Sequence, residues 1–464
     1  MTRGWRPGWR LAGSALLACA LMVGCGTSVS PPEDRSLRVS DNGRYLLDRA
    51  GQPWLMSADT AWTILAKLTR PEIEQYLDGR RANGFNTVAI SLVDLTQGAL
   101  TGSGTESGEP MFVADTAEPN PGFFTELDAF LDAADERGMT VMIVPMWLNF
   151  ADKDSRFTVD NMTRFGTFLS ERYRSRPNVI WVMGGDFGAV DGEQCPRQDE
   201  VRALARAIDQ ADPRHLMTYH SGADLSTSVC YPNDDWVDFN STYWDFNDQN
   251  LSSAYRNVLR DYAVDPPRPV VMLESGYEGP HPDDPDPNAL TARTSRLQTY
   301  DMVLAGGLGF TYGANSTYFT DNASPTAART WQDTLVIPGA VQQGLAAAVM
   351  REHEWWRLVP DQDHAVVIDG YGTWGEQDYA LTGRADDGSF TLTYLPTARP
   401  VVVDLSRLRG PTTARWYDPT SGEYRPAADD ALANTGTHEF VPPMGNHAGD
   451  DDWVLVLEAP AEDP

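Results

Sequence analysis

Two carboxylates end apolar segments of the chain. Asp186 ends the segment Asn178-Val-Ile-Trp-Val-Met-Gly-Gly-Asp186, and Glu274 ends the segment Pro269-Val-Val-Met-Leu-Glu274. A charge at the end of a buried strand is costly unless it is paired or used in chemistry. Two carboxylates that flank a glycosidic bond can cleave it, because one protonates the leaving oxygen and the other attacks the anomeric carbon or activates water. The alternative is that either acid only binds an arginine or caps a helix.

Polar and aromatic residues also follow the ends of the other apolar segments. Such residues at one rim suit a sugar ring, whose apolar face stacks on an aromatic side chain while its hydroxyls bond to polar groups. The residues expected to bind hydroxyls are Asp59, His220 and Tyr312. The residues expected to stack on the ring are Trp62, Trp147 and Trp244. The remaining candidates for substrate binding are Tyr243, Tyr277 and Asn315.

Other catalytic chemistries lack their usual sequence patterns. The seven histidines are scattered, and His-x-x-x-His does not occur. A lone histidine such as His220 at a strand end more often bonds to substrate or to an acid than to a metal. The Gly-x-Ser-x-Gly motif of many serine hydrolases is absent as well. We therefore predict no metal and no cofactor.

The two carboxylates can meet only if one fold brings their segments together. Apolar segments alternate with helix-like segments about eight times, which predicts a (β/α)8 TIM barrel over residues 37–360 with its active site at the carboxyl ends of the strands. Strands four and seven, which end at Asp186 and Glu274, face each other across the mouth of such a barrel. The predicted strands are 53–58, 85–93, 139–147, 178–185, 215–220, 237–243, 269–273 and 308–312. The predicted helices are 71–83, 123–137, 159–174, 200–210, 251–262, 291–305 and 338–354.

Seven short strand-like segments separated by turns follow the predicted barrel. This pattern predicts a small antiparallel β-sandwich domain over residues 361–464. The segments are 365–368, 379–384, 389–395, 401–405, 413–417, 438–441 and 453–457. We favour a structural role for this domain, although exposed aromatics such as Tyr371 and Trp374 would favour polysaccharide binding.

The composition excludes several classes of protein. A hydrophobic content of 41% excludes a disordered chain. The chain carries 66 Asp and Glu against 36 Lys and Arg, a formal net charge of −30. So acidic a surface repels phosphate groups, which argues against nucleic acid and against an anionic membrane surface as partners. The sequence identifies no protein partner.

The first residues are typical of a targeting segment. Arg3, Arg6 and Arg10 precede an apolar run over residues 11–23 that is short for a membrane span. The run ends in Leu21-Met22-Val23-Gly24-Cys25, which resembles a bacterial lipobox. We expect a lipoprotein signal peptide over residues 1–24, lipidation of Cys25 and a tether over residues 25–36. The protein would then be exported and held at the bacterial cell surface or envelope by its lipid alone. A secretory signal without lipid is the alternative.

Cys195 and Cys230 lie in polar, loop-like sequence. In an oxidising compartment such a pair can form a disulfide, which is the favoured prediction. A metal-binding or nucleophilic role would need a companion histidine at motif spacing, and none is present.

Several motifs resemble the apiosidase-like group, glycoside hydrolase family 140. They are Ala58-Asp59-Thr60-Ala61-Trp62, Gly84-Phe-Asn-Thr-Val, Arg176-Pro-Asn-Val-Ile-Trp-Val-Met-Gly-Gly-Asp186, Glu274-Ser-Gly-Tyr-Glu-Gly and Phe310-Thr-Tyr-Gly-Ala-Asn315. The resemblance implies a barrel glycosidase with Asp186 as acid/base and Glu274 as nucleophile, in a family that releases apiose-linked sugars from plant pectin side chains. The tail, with Trp416-Tyr-Asp-Pro-Thr-Ser-Gly, resembles the small β domain labelled as the collagen-binding domain of a collagenase. A zinc collagenase would need His-Glu-x-x-His, which is absent.

The sequence therefore predicts an exported glycoside hydrolase that acts on polysaccharide side chains of plant or microbial origin. We favour retention of the anomeric configuration. The sugar itself stays open, because the segment after Glu274 and the residue before Asp59 depart from the family pattern. The competing hypothesis is a non-catalytic carbohydrate- or matrix-binding lipoprotein on a barrel scaffold.

Overall fold

A short antiparallel sheet precedes the barrel in the computed structural model, which describes residues 36–95, 104–114, 116–188, 194–222, 225–243, 253–279, 290–315 and 330–460. Its strands are β1 (Arg38–Val39), β2 (Leu46–Leu47) and β3 (Pro53–Trp54). The predicted signal peptide, the lipidation site Cys25 and the tether up to residue 35 lie outside the described residues.

Eight parallel strands then form the barrel, and each corresponds to one predicted strand. They are β4 (Met56–Thr60), β5 (Thr87–Ser91), β6 (Thr140–Val144), β7 (Val179–Phe187), β8 (Met217–Ser221), β9 (Asn240–Tyr243), β10 (Val270–Glu274) and, after the two-residue strand β11 (Tyr277–Glu278), β12 (Gly309–Ala314). Every residue of β6 and β10 is buried, because these strands are covered on both faces.

Hydrogen bonds close the barrel. One sheet has the order β11-β12-β4-β5-β6-β7-β8, and β9 pairs with β10 beside it. The N–H of Asp238 donates to the carbonyl oxygen of Met217 at 3.0 Å, which joins β9 to β8. The N–H of Leu308 donates to the carbonyl oxygen of Val270 at 2.8 Å, which joins β12 to β10. The predicted TIM-barrel fold is therefore confirmed.

Helices surround the barrel between the strands. The longer ones are Arg70–Ala82, Pro121–Glu136, Val159–Tyr173, Gln198–Ala211, Ser253–Tyr262, Ala292–Leu304 and Pro338–Glu352, and all seven were predicted. Short helices that the sequence pattern missed are Ile64–Lys67, Leu148–Ala151, Thr227–Cys230 and Trp331–Thr334, with 3-10 turns at Trp355–Arg357 and Leu405–Arg407. In the part of the chain that the structure describes, no helix combines the length and the apolar character needed to cross a bilayer.

Two antiparallel sheets form the C-terminal region. Their strands are β13 (Leu358–Pro360), β14 (Val367–Asp369), β15 (Leu381–Ala385), β16 (Phe390–Leu395), β17 (Val401–Asp404), β18 (Thr413–Tyr417), β19 (Tyr424–Pro426), β20 (Thr437–Phe440) and β21 (Trp453–Glu458). The sheets have the orders β13-β15-β16-β21-β18-β19 and β14-β17-β20. The seven predicted strands form, and β13 and β19 are additional edge strands.

The larger sheet is buried on both faces. Along β21, Trp453, Leu455 and Leu457 pack in the core between the two sheets, whereas Val454 and Val456 belong to the core of the barrel. This alternation follows from the two-residue period of a strand. The C-terminal sheets are therefore packed directly on the barrel.

The helix Ala292–Leu304 lies at this contact. The Arg296 guanidinium donates to Asp450 and Asp452 at 2.7 Å, and the Arg296 side chain is almost fully buried. The ring of Tyr300 stacks on Tyr394 with centroids 4.6 Å apart. A buried charge is tolerated only when it is paired. Asp450 and Asp452 must therefore stay beside Arg296, which holds the C-terminal sheets against this helix.

Candidate active site

Three donors hold the carboxylate of Glu274, which is buried at the carboxyl end of β10. Oε1 accepts hydrogen bonds from the indole Nε1 of Trp62 at 3.1 Å and from the hydroxyl of Tyr277. Oε2 lies 2.9 Å from Nε2 of His220, which donates because an ionised carboxylate only accepts. The donors come from three different segments, so the fold of the barrel fixes the orientation of this carboxylate.

His220 connects the two candidate catalytic acids. It ends β8 together with Ser221, and its ring is fully buried. The other ring nitrogen, Nδ1, lies 3.1 Å from the backbone nitrogen of Asp186 and 3.0 Å from the carbonyl oxygen of Ser221. Burial lowers the pKa of His220, but the hydrogen bond and charge of Glu274 together with the charge of Asp186 outweigh burial and raise the pKa above its usual value. One imidazole therefore positions both acids.

The Gly-Gly-Asp sequence at the end of β7 makes the turn that presents Asp186. Asp186 has a φ of 43°, and Gly184 and Gly185 have φ of 92° and 120°. A Cβ on Gly184 would lie 2.3 Å from the carbonyl oxygen of His220, and a Cβ on Gly185 would lie 2.7 Å from the ring of Trp147. Neither glycine can therefore carry a side chain, and the pairing of β7 with β8 is irregular at this point. The Asp186 side chain is half-buried, in contrast to Glu274.

Aromatic rings surround His220. The ring centroids of Trp62, Trp147 and Tyr243 lie 5.7, 5.3 and 5.6 Å from that of His220. Trp62 is fully buried, and its indole N–H is used by Glu274. The expectation that Trp62 stacks on a sugar is therefore wrong, because its ring has no exposed face. Both ring nitrogens of His220 have partners in the protein, and the expectation that this residue binds a sugar hydroxyl stays a prediction.

Asp59 belongs to a buried ion pair and not to a sugar site. Its Oδ2 accepts from Arg80 Nε at 2.6 Å and from the hydroxyl of Tyr76, and the side chains of Asp59 and Arg80 have no exposed surface. The expectation that Asp59 binds a sugar hydroxyl is therefore wrong. The sequence analysis missed Arg80, although the helix spacing of Ile73, Tyr76 and Arg80 places this arginine on the buried face, where it needs an acid.

Two further candidates bond to neighbouring residues that follow Tyr277, one to a carboxylate and the other to a backbone carbonyl. The buried Tyr312 donates through its hydroxyl to Oε2 of Glu278 at 2.7 Å, and the expectation that it binds a sugar hydroxyl stays a prediction. Asn315 donates through Nδ2 to the carbonyl oxygen of Gly279 at 2.5 Å. Sequence reasoning missed Glu278, which directly follows Tyr277. In strand β11 it pairs with Ala314 of β12.

The remaining candidates are placed as follows. Trp147 and Tyr243 are buried beside His220 with a small exposed fraction each. Trp244 lies outside the described residues. Cys195 and Cys230 form a disulfide between the segments that follow β7 and β8. Among the residues that the structure describes, no three His, Cys, Asp or Glu side chains are grouped as metal ligands.

Comparison with known proteins identifies the family. The model of the family described as "Apiosidase-like, catalytic domain" matches residues 40–357, and the chain belongs to this family. Residues 359–458 match the family described as "Putative collagen-binding domain of a collagenase". No curated protein sequence matches the chain.

Solved structures of glycoside hydrolases share the whole fold. A structure titled "Glycoside hydrolase" is 27% identical, has a TM-score of 0.81 and covers 93% of this chain and 98% of its own. A glycoside hydrolase family 5 protein from Bacteroides vulgatus ATCC 8482 is 25% identical, has a TM-score of 0.81 and covers 93% of this chain and 95% of its own. The protein is therefore a glycoside hydrolase, and its substrate is a carbohydrate.

Proposed function

We propose that the protein is a retaining glycoside hydrolase with Glu274 as nucleophile and Asp186 as acid/base. The observation that carries this proposal is the Glu274 carboxylate, which is held by Trp62, Tyr277 and His220 at the carboxyl end of β10. A nucleophile must meet one carbon from one direction, so it gains from being fixed. The apiosidase-like family supports a substrate in polysaccharide side chains of plant or microbial origin.

The different burial of the two acids supports this division of roles. Asp186 is half-buried, so it can exchange a proton with water in each cycle, whereas Glu274 is buried and oriented. In the first step Asp186 gives its proton to the leaving oxygen, the glycosidic bond breaks, and a Glu274 oxygen bonds to the anomeric carbon. In the second step Asp186 takes a proton from water, the water oxygen bonds to the anomeric carbon, and the bond to Glu274 breaks.

Hydrolysis of a panel of aryl furanosides and pyranosides, including apiosides, arabinosides and galactosides, tests this proposal. We expect Glu274→Gln and Asp186→Asn each to lose at least about 10³-fold in turnover. Asp301→Asn is the matched control. Burial raises the pKa of Asp301 far above its usual value, and this residue lies on the helix Ala292–Leu304, which carries neither Asp186 nor Glu274. Full turnover in either Glu274→Gln or Asp186→Asn would remove that residue from the mechanism, and a loss in Asp301→Asn would show that folding causes the effect.

We also propose that the protein is exported and lipidated at Cys25. The lipobox-like sequence supports this location, and so does the Cys195–Cys230 disulfide, since disulfides persist mainly in oxidising compartments. The test is mass spectrometry of the N-terminal peptide after expression of the full chain in a bacterium. We expect a diacylglyceryl mass on Cys25 that is lost in Cys25→Ser. An unmodified Cys25 in the wild type would refute lipidation.

A further inference from the structure

The C-terminal region presents one strongly exposed aromatic ring. Trp374 is 54% exposed, and among the described residues it is the only aromatic among the exposed large hydrophobic side chains. It lies in residues 370–380, which connect β14 to β15. The ring makes edge contacts with Tyr255 and Tyr379, at centroid distances of 5.3 and 5.2 Å, and about half of its surface is left for a ligand.

The connection that carries Trp374 is held in one conformation. The guanidinium of Arg399 donates to the carbonyl oxygen of Gly370 at 2.5 Å and to that of Asp378, so a single side chain closes both ends of the connection. Gly372 has a φ of 84°, and a Cβ there would lie 2.6 Å from the carbonyl oxygen of Asp378. The exposed ring is therefore presented by a fixed turn.

This turn reaches the face of the barrel that carries the active site. The N–H of Gly375 donates to the hydroxyl of Tyr255 at 2.7 Å, and the rings of Trp374 and Tyr255 lie 5.3 Å apart. Tyr255 is in the first turn of the helix Ser253–Tyr262 that follows β9. The first turn of such a helix lies at the carboxyl ends of the strands, where barrel active sites form.

Contacts continue from this helix to the catalytic acids. Asn257 donates through Nδ2 to the carbonyl oxygen of Tyr243 at 3.3 Å, and the ring of Tyr243 lies 5.6 Å from His220. His220 in turn bonds to Glu274. Trp374 is thus at the same rim as Glu274 but outside the ring of strands, where it would contact a sugar unit away from the cleaved bond.

We propose that Trp374 is a subsite at which the C-terminal region stacks on a neutral sugar unit of the polysaccharide. An aromatic ring that is 54% exposed can stack on the apolar face of a pyranose or furanose. The exposed carboxylates of Asp369, at the end of β14, and of Glu376, on the turn, disfavour an acidic sugar there. This inference rests on the proposed polysaccharide substrate, and it assigns substrate binding to a region for which a structural role alone is expected.

Affinity electrophoresis in gels that contain one polysaccharide each tests the subsite without requiring turnover. The probes are arabinan, galactan, xylan and polygalacturonate, and the proteins are the full chain, Trp374→Ala and Trp374→Phe. We expect at least one neutral polysaccharide to retard the wild type, Trp374→Ala to bind it about 10-fold more weakly and Trp374→Phe to keep most of the affinity, since loss of about 1.4 kcal/mol of stacking is tenfold. Met444→Ala, at a residue that is 98% exposed, is the matched surface control and should not differ from the wild type.

Kinetics separate this subsite from the catalytic site. On an aryl glycoside with one sugar, Trp374→Ala should keep the wild-type kcat and KM, whereas Glu274→Gln should lose turnover but keep polysaccharide binding. Equal retardation of wild type and Trp374→Ala, no retardation of the wild type by any neutral polysaccharide, or retardation by polygalacturonate alone would each overturn the subsite. A change in the thermal midpoint of Trp374→Ala with unchanged binding would show that the ring is only structural.

Discussion

The hydroxyl of Tyr277 can be removed without changing the shape of the site. Tyr277→Phe keeps the ring but deletes one donor to Oε1 of Glu274 and also the nearest acceptor of the Trp62 indole N–H, at 2.6 Å. The indole of Trp62 still donates to the same Glu274 oxygen at 3.1 Å. A hydrogen bond to a charged group contributes about 1.5–3 kcal/mol. If this bond orients the carboxylate for attack, its loss lowers kcat by a factor between about 10 and 150, since 1.36 kcal/mol corresponds to a factor of ten.

Tyr312→Phe is the matched control for this change. Its hydroxyl is equally buried and also donates to a carboxylate, but that carboxylate is Glu278 and not Glu274. Loss of this donor should cost about 1–3 kcal/mol of the free energy of unfolding and leave kcat within about twofold of the wild type. The assay is steady-state kinetics on the best aryl glycoside together with urea unfolding of both variants. Equal losses of kcat in the two variants, or an unchanged kcat in Tyr277→Phe, would refute the role given to Tyr277.

Three further outcomes concern stability. Asp59→Asn leaves Arg80 as a buried charge without its ionic partner and should lower the free energy of unfolding by about 3–5 kcal/mol, measured by urea unfolding. Burial raises the pKa of Asp238 to about 7, so the folded state binds a proton that the unfolded state has lost, and the wild type should lose up to about 1.4 kcal/mol of stability per pH unit between about pH 4 and 7. Asp238→Asn should lack this decline, and an identical pH dependence would contradict the shift. Cys230→Ser opens a disulfide with a sequence separation of 35 and should cost about 3–4 kcal/mol in calorimetry, whereas an unchanged midpoint would mean that the bond constrains little.

The barrel could be predicted from the sequence because several of its buried strands contain continuous runs of apolar residues. A strand such as β6 is apolar at every position, since helices cover one face and the barrel core the other. The edge strands β13 and β19 were missed because three residues, one of them a proline in each case, give no alternation to detect.

The placement of Asp186 and Glu274 followed from the same property, but the roles of their neighbours did not. Asp59 and Glu274 both follow apolar strands, yet one pairs with Arg80 and the other accepts from Trp62, Tyr277 and His220. Which partner an acid meets depends on contacts between segments far apart in the chain, and strand patterns carry no information about them. An arginine on the buried face of the helix Arg70–Ala82 was the one local signal that a nearby acid would be used for pairing.

Azide rescue of alanine variants tests the central claim most directly. Glu274→Ala and Asp186→Ala are incubated with azide and the aryl glycoside that the wild type hydrolyses fastest, and NMR gives the anomeric configuration of the glycosyl azide. With Glu274 as nucleophile, azide takes its place in Glu274→Ala and the product is inverted relative to the substrate. In Asp186→Ala the glycosyl-enzyme still forms, so the product retains the configuration. The opposite pair of configurations, or the same configuration from both variants, would contradict the assignment of Glu274 as nucleophile and Asp186 as acid/base.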